Sequence, residues 1–414
     1  MVDVGALWHP FSDMGAVESG GEFVITRGEG VRVFDDAGRA YLDATAGLWF
    51  ANVGHGRSEL AEAAAAQLRK IGHFSTFGNY TNDAANALAE RLANLAPVPG
   101  SKVFLTSGGS DSIDTAAKIA RRYWVERGEP SRTIMVGRQK AYHGMHYAGT
   151  SLGGLAPNTD GYGVLVPEIA HVAWDDADDL RASIERLGPD NVAGFFCEPV
   201  LGAGGVYPPP PGYLEAARKI CADYEVLFVA DEVITGYGRI GGEWFASTRF
   251  GLAPDMVVSA KGLSSGYAPV GAVLVAPAVA EPFFRPGAGV WFRHGYTYSG
   301  HAMCAAVALA NLELIEREGL LAEAARLETT LARSLSPLAG HEAVREVRCG
   351  TGALAAVQLE APADAPKLVG LLREEGVATR AVGAGGIQIS PAFVMTDAEV
   401  DELAAAIGRA VDRL

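Results

Sequence analysis

Short, nearly unbroken apolar runs recur along the chain, and the stretches between them carry helical spacing. "GVRVFDDAGRAYLDATAGLW" predicts two strands joined by a turn at Asp36, Ala37 and Gly38. Residues 58–70, rich in alanine with Glu, Gln, Arg and Lys, predict a helix. "NDAANALAERLANLAP" predicts another, stopped near Pro97. "SKVFLTSGG" is a short strand running into glycines, followed by a strong helix in "SDSIDTAAKIARRYWVERG". Further strands are expected at 133–136 and in "NVAGFFCEPV", "EVLFVADEV", "DMVVSAKG" and "YAPVGAVLVAP", with a helix at 212–223. Apolar strands alternating with helices imply an α/β fold whose largely parallel sheet is covered on both faces. Residues 301–320 predict one long helix leaving that layer, and helix, strand and helix after about 325 make a smaller α+β unit.

With 414 residues, the chain exceeds one ordinary core, so two domains are expected. Its 49% apolar and 20% charged composition is that of an ordered globular protein. A net charge of −15 with no dense Lys/Arg block argues against nucleic acid or an anionic membrane as partner. The longest apolar runs are interrupted by Pro or Gly and are too short to span a bilayer. Cys197, Cys221, Cys304 and Cys349 form no close pair, which leaves neither a zinc knuckle nor a redox Cys-x-x-Cys. With no secretory pattern in "MVDVGALWHPF", a cytoplasmic location is expected.

The candidate chemistry lies where strands end. In "TSGGSDSIDTAAK", strand, glycines and helix place free N–H groups at a helix start, which suits a phosphate. The stretch is neither a Walker loop nor a Gly-x-Gly-x-x-Gly fingerprint, and Ser110 could simply cap the helix. "FVADEV" puts Asp231 and Glu232 at the carboxyl end of an apolar strand, where open α/β sheets bind ligands. There an aspartate either keeps a cationic ring nitrogen protonated or caps a helix or turn. Lys261 ends another apolar strand thirty residues on. It either opens a solvated loop or faces the same crevice as Asp231. "KAYHGMHYAG" gathers Tyr142, His143, His146 and Tyr147 with no carboxylate among them, so no metal site is expected; a flat aromatic there could stack on a flat ring. A phosphate cradle, an aromatic plate, a strand-end aspartate and a strand-end lysine together describe a pyridoxal phosphate site. The lysine would form the Schiff base and the aspartate would hold the pyridinium proton.

In "WHPFSD", "EGVRVFDDAGRAYLDATAGLWFANVGHG", "YHG", "FCEPVLGAGGV", "FVADEVITGYGRIGGEWF", "DMVVSAKGLSSGYAPVGAV" and "HGYTYSGH", the chain resembles the class III aminotransferases over nearly its whole length. These are fold type I pyridoxal phosphate enzymes, and the closest likeness is to the amine–pyruvate or omega-transaminase branch. The resemblance implies a large domain at 56–320, a C-terminal small domain at 321–414, and an N-terminal segment at 1–55 packing with the latter. It implies that Lys261 is the Schiff-base and proton-transfer lysine and that Asp231 pairs with the pyridine nitrogen. Val233 and Tyr142 would press on opposite ring faces, with His143 beside them and Glu198 near the ring hydroxyl. Gly109 and Ser110 would hold the phosphate. Leu48, Trp49 and Tyr142 would line the substrate pocket, and Arg380 would clamp a substrate carboxylate. Thr297 would reach the phosphate of the neighbouring subunit, which implies a homodimer with shared sites. The implied reaction is ping-pong transfer from an amine or omega-amino acid to a keto acid, pyruvate first. The alternatives are an aminomutase or decarboxylase using the same cofactor, and a biosynthetic aminotransferase such as that of the biotin pathway. Several departures from the family pattern are visible: Gly108-Gly109-Ser110 replaces Ser-Gly-Ser and is followed by Asp111 where the family has a glutamate, "GRIGGEW" has one glycine more, Pro391-Ala392 replaces Pro-Pro, and the stretch after Arg380 is one residue longer.

Overall fold

The protein is described by a computed structural model covering residues 5–414. Residues 1–4 of the expected N-terminal segment lie outside the described residues. The centre is a seven-stranded sheet in the order Lys102–Thr106, Gly271–Val275, Met256–Ser259, Leu227–Asp231, Val192–Cys197, Ile134–Arg138, Ile169–Val172. Every residue of Val192–Cys197, Leu227–Asp231, Met256–Ser259 and Gly271–Val275 is buried, as a sheet covered on both sides requires.

Alternate residues of these strands feed two separate apolar clusters. Phe195, Phe228, Val257 and Leu274 join one, with Leu214, Ala217 and Ile220 of the Tyr213–Asp223 helix. Phe196, Val229, Val258 and Val273 join the other, with Ile113, Ala116, Ala120 and Trp124 of the Gly109–Glu126 helix. The period of two along each strand thus becomes two cores, one per face. This is the α/β architecture expected of the sequence.

Two details refine the expected largely parallel sheet and long helix. Gly271–Val275 runs antiparallel to both its neighbours, Met256–Ser259 and Lys102–Thr106, while the other strands run parallel to one another. An apolar run specifies burial and carries no information on direction. The single helix expected over 301–320 ends at Arg317. Gly319, at φ +66°, turns the chain into a second helix, Leu320–Leu335.

The C-terminal part forms an antiparallel sheet in the order Val344–Arg348, Ala355–Leu359, Gly386–Ile389, Ala381–Val382, with the helices Ala365–Glu374 and Asp397–Val411. The N-terminal strands Ile25–Glu29, Arg32–Asp35 and Ala40–Asp43 form a third sheet. Val377–Ala378 completes it, pairing parallel with Ala40–Asp43. Among the described residues no helix is long and apolar enough to cross a membrane.

Candidate active site

A cavity of about 400 Å³ opens at the carboxyl edge of the large sheet. The glycine-rich helix start brings Gly109 and Ser110 to its wall, and the loop after Ile134–Arg138 brings Tyr142 and His143. The ends of the strands Val192–Cys197, Leu227–Asp231 and Met256–Ser259 bring Glu198, Asp231 and Lys261, and Val233 follows Asp231 into the same wall. Asp231 and Val258 sit opposite each other in the parallel ladder, and Lys261, three residues past Val258, follows the end of that strand into the same cavity wall as Asp231. Lys261 therefore faces the cavity and does not begin a solvated loop.

No side chain caps the first turn of the Gly109–Glu126 helix, so its leading N–H groups stay available at the cavity wall. Gly109 is required by packing: a Cβ there would come within 2.9 Å of Val233 Cγ1. The Ser110 hydroxyl accepts from Met145 N at 3.2 Å, which leaves its own proton to donate. Gly144, at φ +88°, lets the facing loop close on Ser110, whose Oγ a Cβ would meet at 2.4 Å.

Asp231 is buried, and its Oδ2 lies 2.7 Å from His143 Nδ1. Its other oxygen accepts from Val233 N at 3.1 Å. His143 Nε2 is buried without a partner. The sequence reading placed His143 at the cofactor but missed its pairing with Asp231. The two alternatives raised for "DE" divide between its two residues. Asp231 faces the cavity, while Glu232 points to the opposite face and accepts from the Ala246 and Ser247 N–H groups, at 2.5 and 2.8 Å. Glu232 caps the start of the short Ala246–Arg249 helix.

Glu198 accepts from Tyr142 N and Gly202 N, each at 2.9 Å, which fixes both of its loops. Burial raises its pKa, with His143 acting in the other direction. Burial pushes the Lys261 amine down to about 8, and Arg380 pushes the same way, against the carboxylates of Asp231 and Glu198. A lysine poised near neutrality beside a buried carboxylate can act as nucleophile and as base.

Four predicted residues lie outside the cavity lining. Arg380 is half-buried close enough to influence both Tyr142 and Lys261. Leu48 is exposed, and Trp49 is buried in an apolar cluster with Val200, Val206 and Ile234. Thr297 is exposed, on a segment whose carbonyl lies 3.0 Å from His73 Nε2. Phe50, directly after Trp49, lines the cavity and was not anticipated; the aromatic character of "GLWF" was its only signal. Phe11, from the "WHPF" stretch, stands edge-on to Tyr142 with ring centroids 6.4 Å apart.

The model of the family described as aminotransferase class-III matches residues 15–411. The chain is a class III aminotransferase. This aminotransferase is 39% identical to the putrescine–pyruvate aminotransferase of Pseudomonas aeruginosa, over 98% of this chain and 93% of that one. It is 34% identical to the beta-alanine–pyruvate aminotransferase of the same organism, over 99% and 96%. The omega transaminase of Pseudomonas jessenii, solved in complex with PMP, superposes with a TM-score of 0.93 at 34% identity, covering 99% of this chain and 97% of that one. As a class III member, this aminotransferase is a pyridoxal phosphate enzyme. The cavity fits that group. An uncapped helix start suits its phosphate, a buried carboxylate suits its ring nitrogen, and a lysine suits its aldehyde.

Proposed function

We propose that this aminotransferase moves the amino group of a primary amine or omega-amino acid onto pyruvate, in two half-reactions at one cavity. The observation that carries the proposal is the convergence of Lys261, Asp231 and the uncapped helix start on that cavity. The names of the relatives above, both pyruvate aminotransferases, support pyruvate as acceptor. Bound pyridoxal phosphate supplies the electron sink that makes the donor's C–H acidic. Lys261, as neutral amine, would take the proton from the donor carbon and pass it to the cofactor within the first half-reaction, and would move a proton the opposite way, onto the acceptor carbon, in the second. Asp231, oriented by His143, holds the ring-nitrogen proton. Gly109 and Ser110 bind the phosphate through N–H and hydroxyl donors. Tyr142 and Val233 would bracket the ring, and Glu198 would stand at its hydroxyl edge. Arg380 offers its planar fork to a substrate carboxylate, and the turn bearing Leu48 and Trp49 limits substrate bulk.

The reading is tested by following the visible absorbance of the cofactor-loaded enzyme. A donor amine is expected to bleach the band, and pyruvate to restore it. A band that no amine bleaches would overturn the reading.

The proposal includes a homodimer. A second hollow, of about 1080 Å³, is lined by Phe77, Trp291 and Phe292. Phe74, Tyr80 and Tyr298 are also exposed, and large apolar side chains gathered on a surface mark an association face. Burying it against a second copy would bring Thr297 to the partner's phosphate site. Sedimentation of the loaded enzyme should give a dimer; active, cofactor-loaded monomers would refute shared sites. The break at Gly319 and the pairing of Val377–Ala378 with Ala40–Asp43 support domains at 56–320 and 321–414, with residues 1–55 joining the latter. Four free cysteines suit a reducing compartment, and we place the enzyme in the cytoplasm.

A further inference from the structure

Arg380 stands at the foot of the hairpin formed by Ala381–Val382 and Gly386–Ile389. Eight residues on, across that hairpin, Gln388 Oε1 accepts from Arg380 Nε at 2.6 Å. Gln388 Nε2 donates to Ser390 Oγ at 2.7 Å, and Ser390 Oγ donates to the Thr45 carbonyl at 3.1 Å. The directions are forced. A guanidinium only donates, so the amide oxygen must face it. The amide nitrogen then has to donate to the serine, whose proton is left for the carbonyl.

Thr45 opens a turn with unusual backbone angles. Ala46, Gly47 and Trp49 have φ of +46°, +68° and +69°. Such angles at non-glycine residues persist only where the surroundings hold them, and they gather at functional sites. The holder here is Asp43. Its Oδ1 accepts from Thr45 N at 3.0 Å and Thr45 Oγ1 at 2.9 Å. Its Oδ2 accepts from Gly47 N at 2.7 Å and lies 2.8 Å from His55 Nε2. Asp43, Thr45, Gln388 and Ser390 are all buried. The turn delivers Phe50 to the cavity wall.

We infer that Gln388, Ser390, Thr45 and Asp43 form a positioning relay that ties Arg380 to the strained turn at 46–49, so that the carboxylate clamp and the bulk-limiting wall are set as one unit. The inference rests on the proposed role of Arg380. It identifies Gln388 and Ser390, which touch no substrate, as determinants of the choice between carboxylate-bearing and uncharged donors. When the relay is intact, Arg380 is held by its Nε while its terminal nitrogens remain free for a carboxylate. When it is cut, Arg380 and the turn lose their common reference.

The test compares kcat/KM for β-alanine and for benzylamine, with pyruvate as acceptor, in wild type, Gln388→Leu, Ser390→Ala and the double variant, with Tm alongside. Gln388→Leu is expected to lower the β-alanine to benzylamine ratio by about tenfold, the scale of one lost charge-assisted hydrogen bond. Ser390→Ala should move it the same way by a smaller factor. The double variant should be no worse than Gln388→Leu, because both cut one chain. An unchanged ratio, with both substrates falling alongside Tm, would show the relay to be structural packing only and overturn the inference. Multiplying effects would do the same. Should Gln388→Leu not fold, Ser390→Ala, which removes one hydroxyl, decides. Crystal structures of wild type and Ser390→Ala give a readout independent of turnover. Displacement of both Arg380 and the 46–49 turn is expected, and an unmoved pair would reject the relay. A wild-type enzyme that transfers from no amine would instead sink the proposed function, leaving the crystallographic comparison to judge the relay.

Discussion

Replacing Lys261 by alanine will lower amino transfer by at least about 10³-fold, the middle of the range that one positioned base contributes. Borohydride reduction of the wild-type enzyme followed by peptide mass spectrometry will find the cofactor on Lys261. The argument is electrostatic as well as positional. With its amine near 8, about half of Lys261 is neutral at pH 8, against about one in three hundred for a lysine at its ordinary 10.5. The neutral amine is the working form, and it is populated above the pKa. Rates limited by proton abstraction should therefore rise as pH climbs through about 8 and flatten beyond. Attachment of the cofactor to another lysine, or substantial turnover by Lys261→Ala, would remove Lys261 from its assigned role.

Asp231→Asn is the second large effect: kcat should drop by about 10³-fold, comparable to losing one preorganised electrostatic group at a reacting centre. Asparagine keeps the shape and gives up the charge. It cannot hold a ring-nitrogen proton by opposite charge, and it weakens the bond to His143 Nδ1, now 2.7 Å from Asp231. The charge of Asp231 also raises the Lys261 pKa, so its removal lets burial and Arg380 push that amine lower. The rising limb of the pH profile should consequently move to lower pH in the variant even as the rate falls. A kcat within about tenfold of wild type, or a limb that moves upward, would contradict the assignment.

The large sheet was legible because its inner strands are almost wholly apolar, and Lys261 and Asp231 were legible because charge at the end of such a strand is costly unless used. Relations between distant residues were not legible. His143 and Asp231 are 88 positions apart, and nothing local to either stretch announces that they meet. The hold of Gln388 on Arg380 depends on hairpin register, and the antiparallel run of Gly271–Val275 depends on connections around the sheet edge. Phe50 was overlooked because "GLWF" offers two large aromatics. Which of them reaches the cavity follows from the positive φ of Trp49, a backbone property that residue type does not reveal. The helix expected across 301–320 is present as Ala302–Arg317, and only its end was misjudged, because a glycine inside a helical pattern permits either a continued helix or a stop.

Asp231 and its neighbour Glu232 point to opposite sides of the same ladder, one to the cavity and one to the helix start it caps. Their order is consequently a matter of phase. A one-residue insertion or deletion anywhere in Leu227–Asp231 would exchange the two carboxylates' faces while leaving composition, charge and most apolar character intact. The strand thus behaves as a ruler that tolerates substitution far better than a change of length. Among descendants of this chain, length variation should collect in the hairpin turn beyond Arg380 and be absent from these five residues.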